Sequence, residues 1–205
     1  HTWFSSIDTL KPRLADLSCL TGSVTIDDSR VVGPLFNPQK WDFQSNGSVN
    51  QLVLDSARLP GNLLIERGQF TWQKSQIKFS GVDAAMGNSL LTRVSGRADW
   101  KKRPSIRVRA EDAIFDPEDL SSLIFTDEKY TRSLNPILPL NGKLVLKNVT
   151  YSGPLSGASK EKPEISAAIN RITLDSRGLS GTFRIGRGQL AWRDNQLVLK
   201  DLDAY

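Results

Sequence analysis

Along most of the chain, apolar residues recur at every second position in short runs closed by Gly, Asn, Asp or Ser. That period predicts half-buried β-strands. Val24 and Ile26 alternate with Ser23, Thr25 and Asp27, and Leu52 and Leu54 repeat the pattern. Leu63 and Ile65, Phe70 and Trp72, then Ile77 and Phe79 follow as three further runs. After Gly87-Asn88, Val94, Gly96, Ala98 and Trp100 alternate with Ser95, Arg97 and Asp99, and a turn over 101–104 leads to Ile106, Val108 and Ala110. The connections are too short for parallel crossovers, which need a dozen or more residues. The predicted fold is mainly β: antiparallel meander sheets, curved or groove-like, with about seven strands per unit and one apolar face.

The chain divides into such units by self-similarity. Residues 48–84 align with 168–204 at a constant offset of 120 and without a gap, and 14 of the 37 pairs are identical. About two identities are expected from average usage. Leu20, Gly22, Gly33, Pro34 and Leu35 recur at the same offset as Leu140, Gly142, Gly153, Pro154 and Leu155. The expected organisation is therefore a first β-repeat unit over 1–115 and a second over 116–205, both truncated, as in a piece cut from a longer array. Between them, Asp116-Pro117-Glu118-Asp119 offers an N-cap, a proline at the first helical position and acids in the first turn. Leu120, Leu123 and Ile124 then share one face of a short predicted helix, and Trp3 and Phe4 align with Leu123 and Ile124 as a remnant of its counterpart.

Composition narrows the chemistry. The 205 residues hold 27 Lys and Arg against 22 Asp and Glu, a formal charge of +5. One Cys and one His, the latter at position 1, exclude an internal disulfide, a Cys/His metal site and a Ser-His-acid triad. His1 reads as the scar of a tag, and no run of apolar residues is long enough to span a bilayer. Gly186-Arg187-Gly188 leads into a strand pattern and is a turn or bulge rather than a phosphate loop, as is Arg67-Gly68. The acids Asp55, Asp83, Asp175 and Asp203 recur by repetition, for which local hydrogen bonding at turns is a better reason than glycosidase catalysis. No catalytic residue, metal or cofactor is expected, and the chain is not read as an enzyme. Lys101, Lys102, Arg103, Arg107 and Arg109 form the one basic cluster, read first as a hairpin turn with the outward face of a strand and second as a contact for anionic headgroups. No aromatic motif of a sheet-based RNA binder accompanies it, so nucleic acid is not an expected partner.

Three stretches, Ile65 to Trp72, Ile77 to Ala84 and Val94 to Trp100, are echoed in Gly186 to Trp192 and Leu202 to Ala204. Their cadence resembles the AsmA-like family of bacterial envelope proteins, related to TamB and to bridge-like lipid transfer proteins. The segment Asp116 to Leu123 is similar to the helices that punctuate such proteins. The resemblance implies a periplasmic chain tethered to the inner membrane by an anchor this sequence does not include. It also implies a β-groove that carries phospholipid toward the outer membrane in envelope assembly. A phospholipid or other acyl-chain ligand is then the expected partner, alongside envelope proteins. The candidate groove lining is Val24, Ile26, Leu52, Leu54, Ile65, Phe70, Trp72, Ile77 and Phe79, with Leu144, Leu146, Ile172, Leu174, Ile185, Leu190, Trp192, Leu197 and Leu199 from the second unit. The alternative is a non-catalytic structural or protein-interaction module. Apolar residues on both faces of the strands would favour it, and here Gln76 to Ser80 is one-sided whereas Leu63-Leu64-Ile65 is not.

Overall fold

The computed structural model describes residues 17–37, 41–56, 61–101, 104–119, 140–154, 162–176, 181–194 and 196–204. Ten strands carry the fold: β1 (Leu17–Val32), β2 (Asp42–Ser56), β3 (Leu63–Gln73), β4 (Gln76–Met86), β5 (Ser89–Asp99), β6 (Ser105–Phe115), β7 (Leu140–Pro154), β8 (Glu164–Ser176), β9 (Phe183–Arg193) and β10 (Gln196–Ala204). They form one antiparallel sheet in sequence order, with β1 and β10 at its edges, so the sheet is open. The extensive contacts of each strand are with its neighbours in sequence. A helix opens at Pro117, where the Asp116 carboxylate accepts the Glu118 amide at 2.9 Å as its N-cap. Leu120, Leu123, Ile124, Trp3 and Phe4 lie outside the described residues.

The meander is as expected, with one difference in count. The runs Leu63-Ile65 and Phe70-Trp72 are one strand, because Glu66-Arg67 is a bulge inside β3 and not a turn before a new strand. Among the described residues six strands therefore precede the helix, and β6 pairs with β7, so a single sheet runs through the boundary between the units.

The repeat is visible in the backbone. β3 and β9 are offset by 120 at both ends, and the hairpins β3–β4 and β9–β10 share one register. Trp72 faces Ile77 as Trp192 faces Leu197, and Arg67 faces Asp83 as Arg187 faces Asp203. Left-handed residues recur too: Lys74 with Asp194 in the hairpin turns, Gly81 with Asp201, and Gly22 with Gly142. At Gly142 (φ +136°) a Cβ would collide with the Thr173 carbonyl, so both the conformation and the close strand approach require glycine. One pairing departs from the repeat. Leu54 faces Leu20, but its counterpart Leu174 faces Gly142, a slip of two residues that leaves every side chain on its own face.

The buried core is Ala113, Leu146, Ala167, Ile169, Ile172 and Ile185, spanning β6 to β9, with Leu91, Phe115, Leu144, Val149, Leu174 and Leu190 packed against it. Burying an Ile of this kind is worth about 1.5–3 kcal/mol. Ile169 and Ile172 are three apart yet belong to one cluster, because exposed Asn170 and Arg171 insert an extra residue between them. Equivalent polar doublets, among them Asn50-Gln51, Thr92-Arg93, Glu111-Asp112 and Lys147-Asn148, interrupt the alternation of other strands and restore the apolar face beyond the interruption. Gln51, Arg93 and Asn148 have left-handed backbone. The doublets lie across from one another over much of the sheet, for example Asn50 opposite Arg67 and Thr92 opposite Asp112.

Candidate functional site

Cross-strand register places two rows on the apolar face. One runs Gly47, Phe70, Phe79, Gly96, Val108, Tyr151, Ile165, Trp192 and Leu197 from β2 to β10. The other runs Leu52, Ile65, Ala84, Leu91, Ala113, Leu146, Ile169 and Gly188 from β2 to β9. The Phe70 ring lies over Gly47 and the Phe79 ring over Gly96, where a Cβ would stand 2.7 Å from a ring carbon in each case. The glycines are thus the gaps that let two large rings lie against the sheet.

The expected lining residues occupy this face, but unevenly. Leu146, Ile172 and Ile185 are buried in the core, and Leu52, Leu54, Ile65, Phe70, Trp72, Ile77, Phe79, Leu144, Leu174, Leu190 and Trp192 are half-buried. Towards the edges the face opens: Val24 is 54% and Ile26 61% exposed on β1, and Leu197 54% and Leu199 40% exposed on β10. Trp72 sits in an aromatic cluster at one end of the strands, edge-on to Phe43 at 5.4 Å and to Trp100 at 6.2 Å. Its indole N–H donates to the Lys74 carbonyl at 3.1 Å. Reading the lining from repeat pairs left out β5 and β6, which have no second copy; Leu91, Val94, Ala98, Val108, Ala110 and Ala113 belong to the same face. Their period-two alternation was the available signal.

Beyond the doublets, the opposite face is apolar as well. Val53, Leu64, Ala85, Leu90, Ile114 and Val145 are in register from β2 to β7, and this row accounts for the two-sided look of Leu63-Leu64-Ile65. The sheet therefore has a band that is apolar on both faces and a band that is apolar on one.

The doublet line carries the strongest electrostatics. Asp83, only 9% exposed, accepts from the Arg67 Nε at 2.6 Å and from the Arg93 amide at 2.8 Å. The Arg93 guanidinium then reaches Glu111 at 2.7 Å and Asp112 at 2.8 Å, linking β3 to β6. The Arg93 amide hydrogen bond holds the Asp83 carboxyl below its ordinary range; burial opposes this and Arg67 assists it. Asp83 is a bulge clamp within the sheet, which corrects the expectation of a turn residue.

On the one-sided band, a hollow of about 800 Å³ is lined by polar-face residues together with Gly47, Phe70, Phe79, Gly96 and Val108 of the first row. Lys78 on β4, Arg97 on β5 and Arg107 on β6 stand directly opposite one another along its floor, with Arg109 beside them. Of the basic residues singled out in the sequence, Arg107 and Arg109 are here, Lys101 lies in the turn after β5, and Lys102 and Arg103 fall outside the described residues. Lys78 and Arg97 were missed because only strand register brings them to Arg107. Among the described residues, no group of His, Cys, Asp or Glu is arranged to hold a metal ion, and no helix is long and apolar enough to cross a membrane. Comparison of the chain with protein-family models, curated proteins and solved structures finds no match.

Proposed function

We propose that the apolar face is a trough for acyl chains, and that the protein is a periplasmic, inner-membrane-tethered member of the AsmA-like group that passes phospholipid between membranes during outer-membrane assembly. The observation that carries this reading is the register of apolar side chains across the sheet, from Phe70 and Phe79 to Trp192 and Leu197. Hydrocarbon tails need contact area and no directional partners, which is what such a face offers. The exposed Val24, Ile26, Leu197 and Leu199 leave the face accessible at both edges. No cofactor or catalytic group enters the reading.

Delipidated protein titrated with a fluorescent fatty acid and a fluorescent phospholipid is the test. Uptake by the wild type, cut severalfold by Ile26→Asp combined with Leu199→Asp, is the expected result. Both positions are exposed enough to accept a charge without unfolding the sheet. No uptake by the wild type would remove the reading. A second reading, a structural or protein-interaction module, draws on the row from Val53 to Val145, where Leu90 is 43% exposed on the face opposite the trough. Photo-crosslinking from Leu90 to an envelope protein, with no lipid uptake, would favour it.

A further inference from the structure

The cations Lys78, Arg97 and Arg107 are paired across β4, β5 and β6 in direct register. Like charges placed directly opposite each other weaken a sheet. Adjacent strands lie about 4.8 Å apart, so the three positions fall within about 10 Å. Among the described residues none of the three has an ion-pair partner. This is not for want of pairing elsewhere: Arg67, Lys74, Arg93, Lys162 and Arg193 all meet acids on this sheet. The acids near the cluster do not neutralise it. Asp27 lines the hollow from β1, and Asp99, two residues along β5, accepts the Lys101 amide at 2.9 Å. Glu164 and Asp194, which share another hollow with Arg107, pair with Arg193 at 3.1 Å and Lys162 at 3.7 Å respectively. Arg109 adds a fourth cation, held by the Asn148 side-chain oxygen at 2.9 Å.

We propose that this row of cations on the polar face binds a ligand bearing two or more phosphate groups. Guanidinium groups take phosphate oxygens two at a time, and an ammonium beside them adds a point charge. Three such long side chains, rooted about 5 Å apart on neighbouring strands, can converge on linked phosphates, of which pyrophosphate is the smallest case. The hollow's polar neighbours, among them Asn46, Thr71 and Ser95, are uncharged and supply neutral hydrogen bonds. The same chemistry is presented by a free polyphosphate and by the headgroups of an anionic bilayer. Strand alternation puts Lys78, Arg97 and Arg107 on the face opposite Phe79, Gly96 and Val108, so phosphate binding by the cations is tested separately from acyl-chain uptake.

The experiment titrates the protein at low salt with inorganic pyrophosphate by calorimetry, and with phosphatidylcholine vesicles with and without phosphatidylglycerol by flotation. Pyrophosphate binding that weakens about tenfold in Arg97→Gln and again in Arg107→Gln supports the site with a soluble ligand. Binding only to the phosphatidylglycerol vesicles, lost in the same variants, supports it with headgroups as the source. The same substitutions relieve the unpaired repulsion, so the ligand-free variants should melt at higher temperature than the wild type. Absence of binding to both probes, undiminished binding by the variants, or a lower melting temperature in the free variants overturns the proposal.

Discussion

Asp83 shows what one residue does for this sheet. Its two oxygens are divided between a side chain on β3 and a backbone amide on β5, so one carboxylate fixes three strands at a bulge. Asp83→Ala leaves the Arg93 amide without that acceptor and should cost about 2 kcal/mol in urea unfolding, whereas Asp83→Asn, which keeps an acceptor, should cost less. The native carboxyl ionises below its ordinary value of 3.8, so the unfolded chain takes up a proton first as pH falls. Its stabilisation is complete above the unfolded value and is lost as pH drops through the native one. Denaturant unfolding between neutral and strongly acid pH should show a shallower acid loss in Asp83→Asn than in the wild type. Equal slopes would mean that Asp83 contributes nothing to acid sensitivity.

At the scale of the strand, the polar doublets decide which face is apolar. Removing one residue from a doublet moves every side chain on one side of it to the opposite face. Deleting Arg93 should therefore cost more than about 3 kcal/mol in equilibrium unfolding, because Leu91 or Val94 must leave the apolar side. Gly96→Ala should also destabilise, by about 1–3 kcal/mol, since the new methyl meets the Phe79 ring and the Arg107 carbonyl. A Gly96→Ala melt matching the wild type would show that the ring moves aside freely. The alternation of Val24 and Ile26, or of Ile77 and Phe79, was legible in the sequence because side chains on a strand have a period of two. The bulges were harder. Glu66-Arg67 is as polar as a turn, and only the pairing of β3 with β2 and β4 on both sides of it distinguishes the two. The basic row was illegible for a related reason: Lys78, Arg97 and Arg107 are about ten residues apart, and no local pattern states which cations will face one another.

For the molecule as a whole, the interior strands bury side chains that the edge strands β1 and β10 leave exposed. Ile169 is 4% exposed and Ile26 61%. Ile169→Ala should lower unfolding free energy by about 2–4 kcal/mol, while Ile26→Thr should change it by less than about 0.5 kcal/mol. Similar effects at both sites would mean that the edges are as covered as the centre. The 120-residue repeat was readable from identities such as Trp72 with Trp192, and the structure reproduces it down to left-handed residues and hairpin register. The two-residue slip between β1–β2 and β7–β8 was not readable, because a change of that size alters neither face nor pattern.

Because each described strand makes its extensive contacts with the strands before and after it, load applied between β1 and β10 passes from one strand pairing to the next. A chain so arranged should yield under tension by peeling one ribbon after another from a rim, giving a sawtooth of small force peaks and not one large rupture.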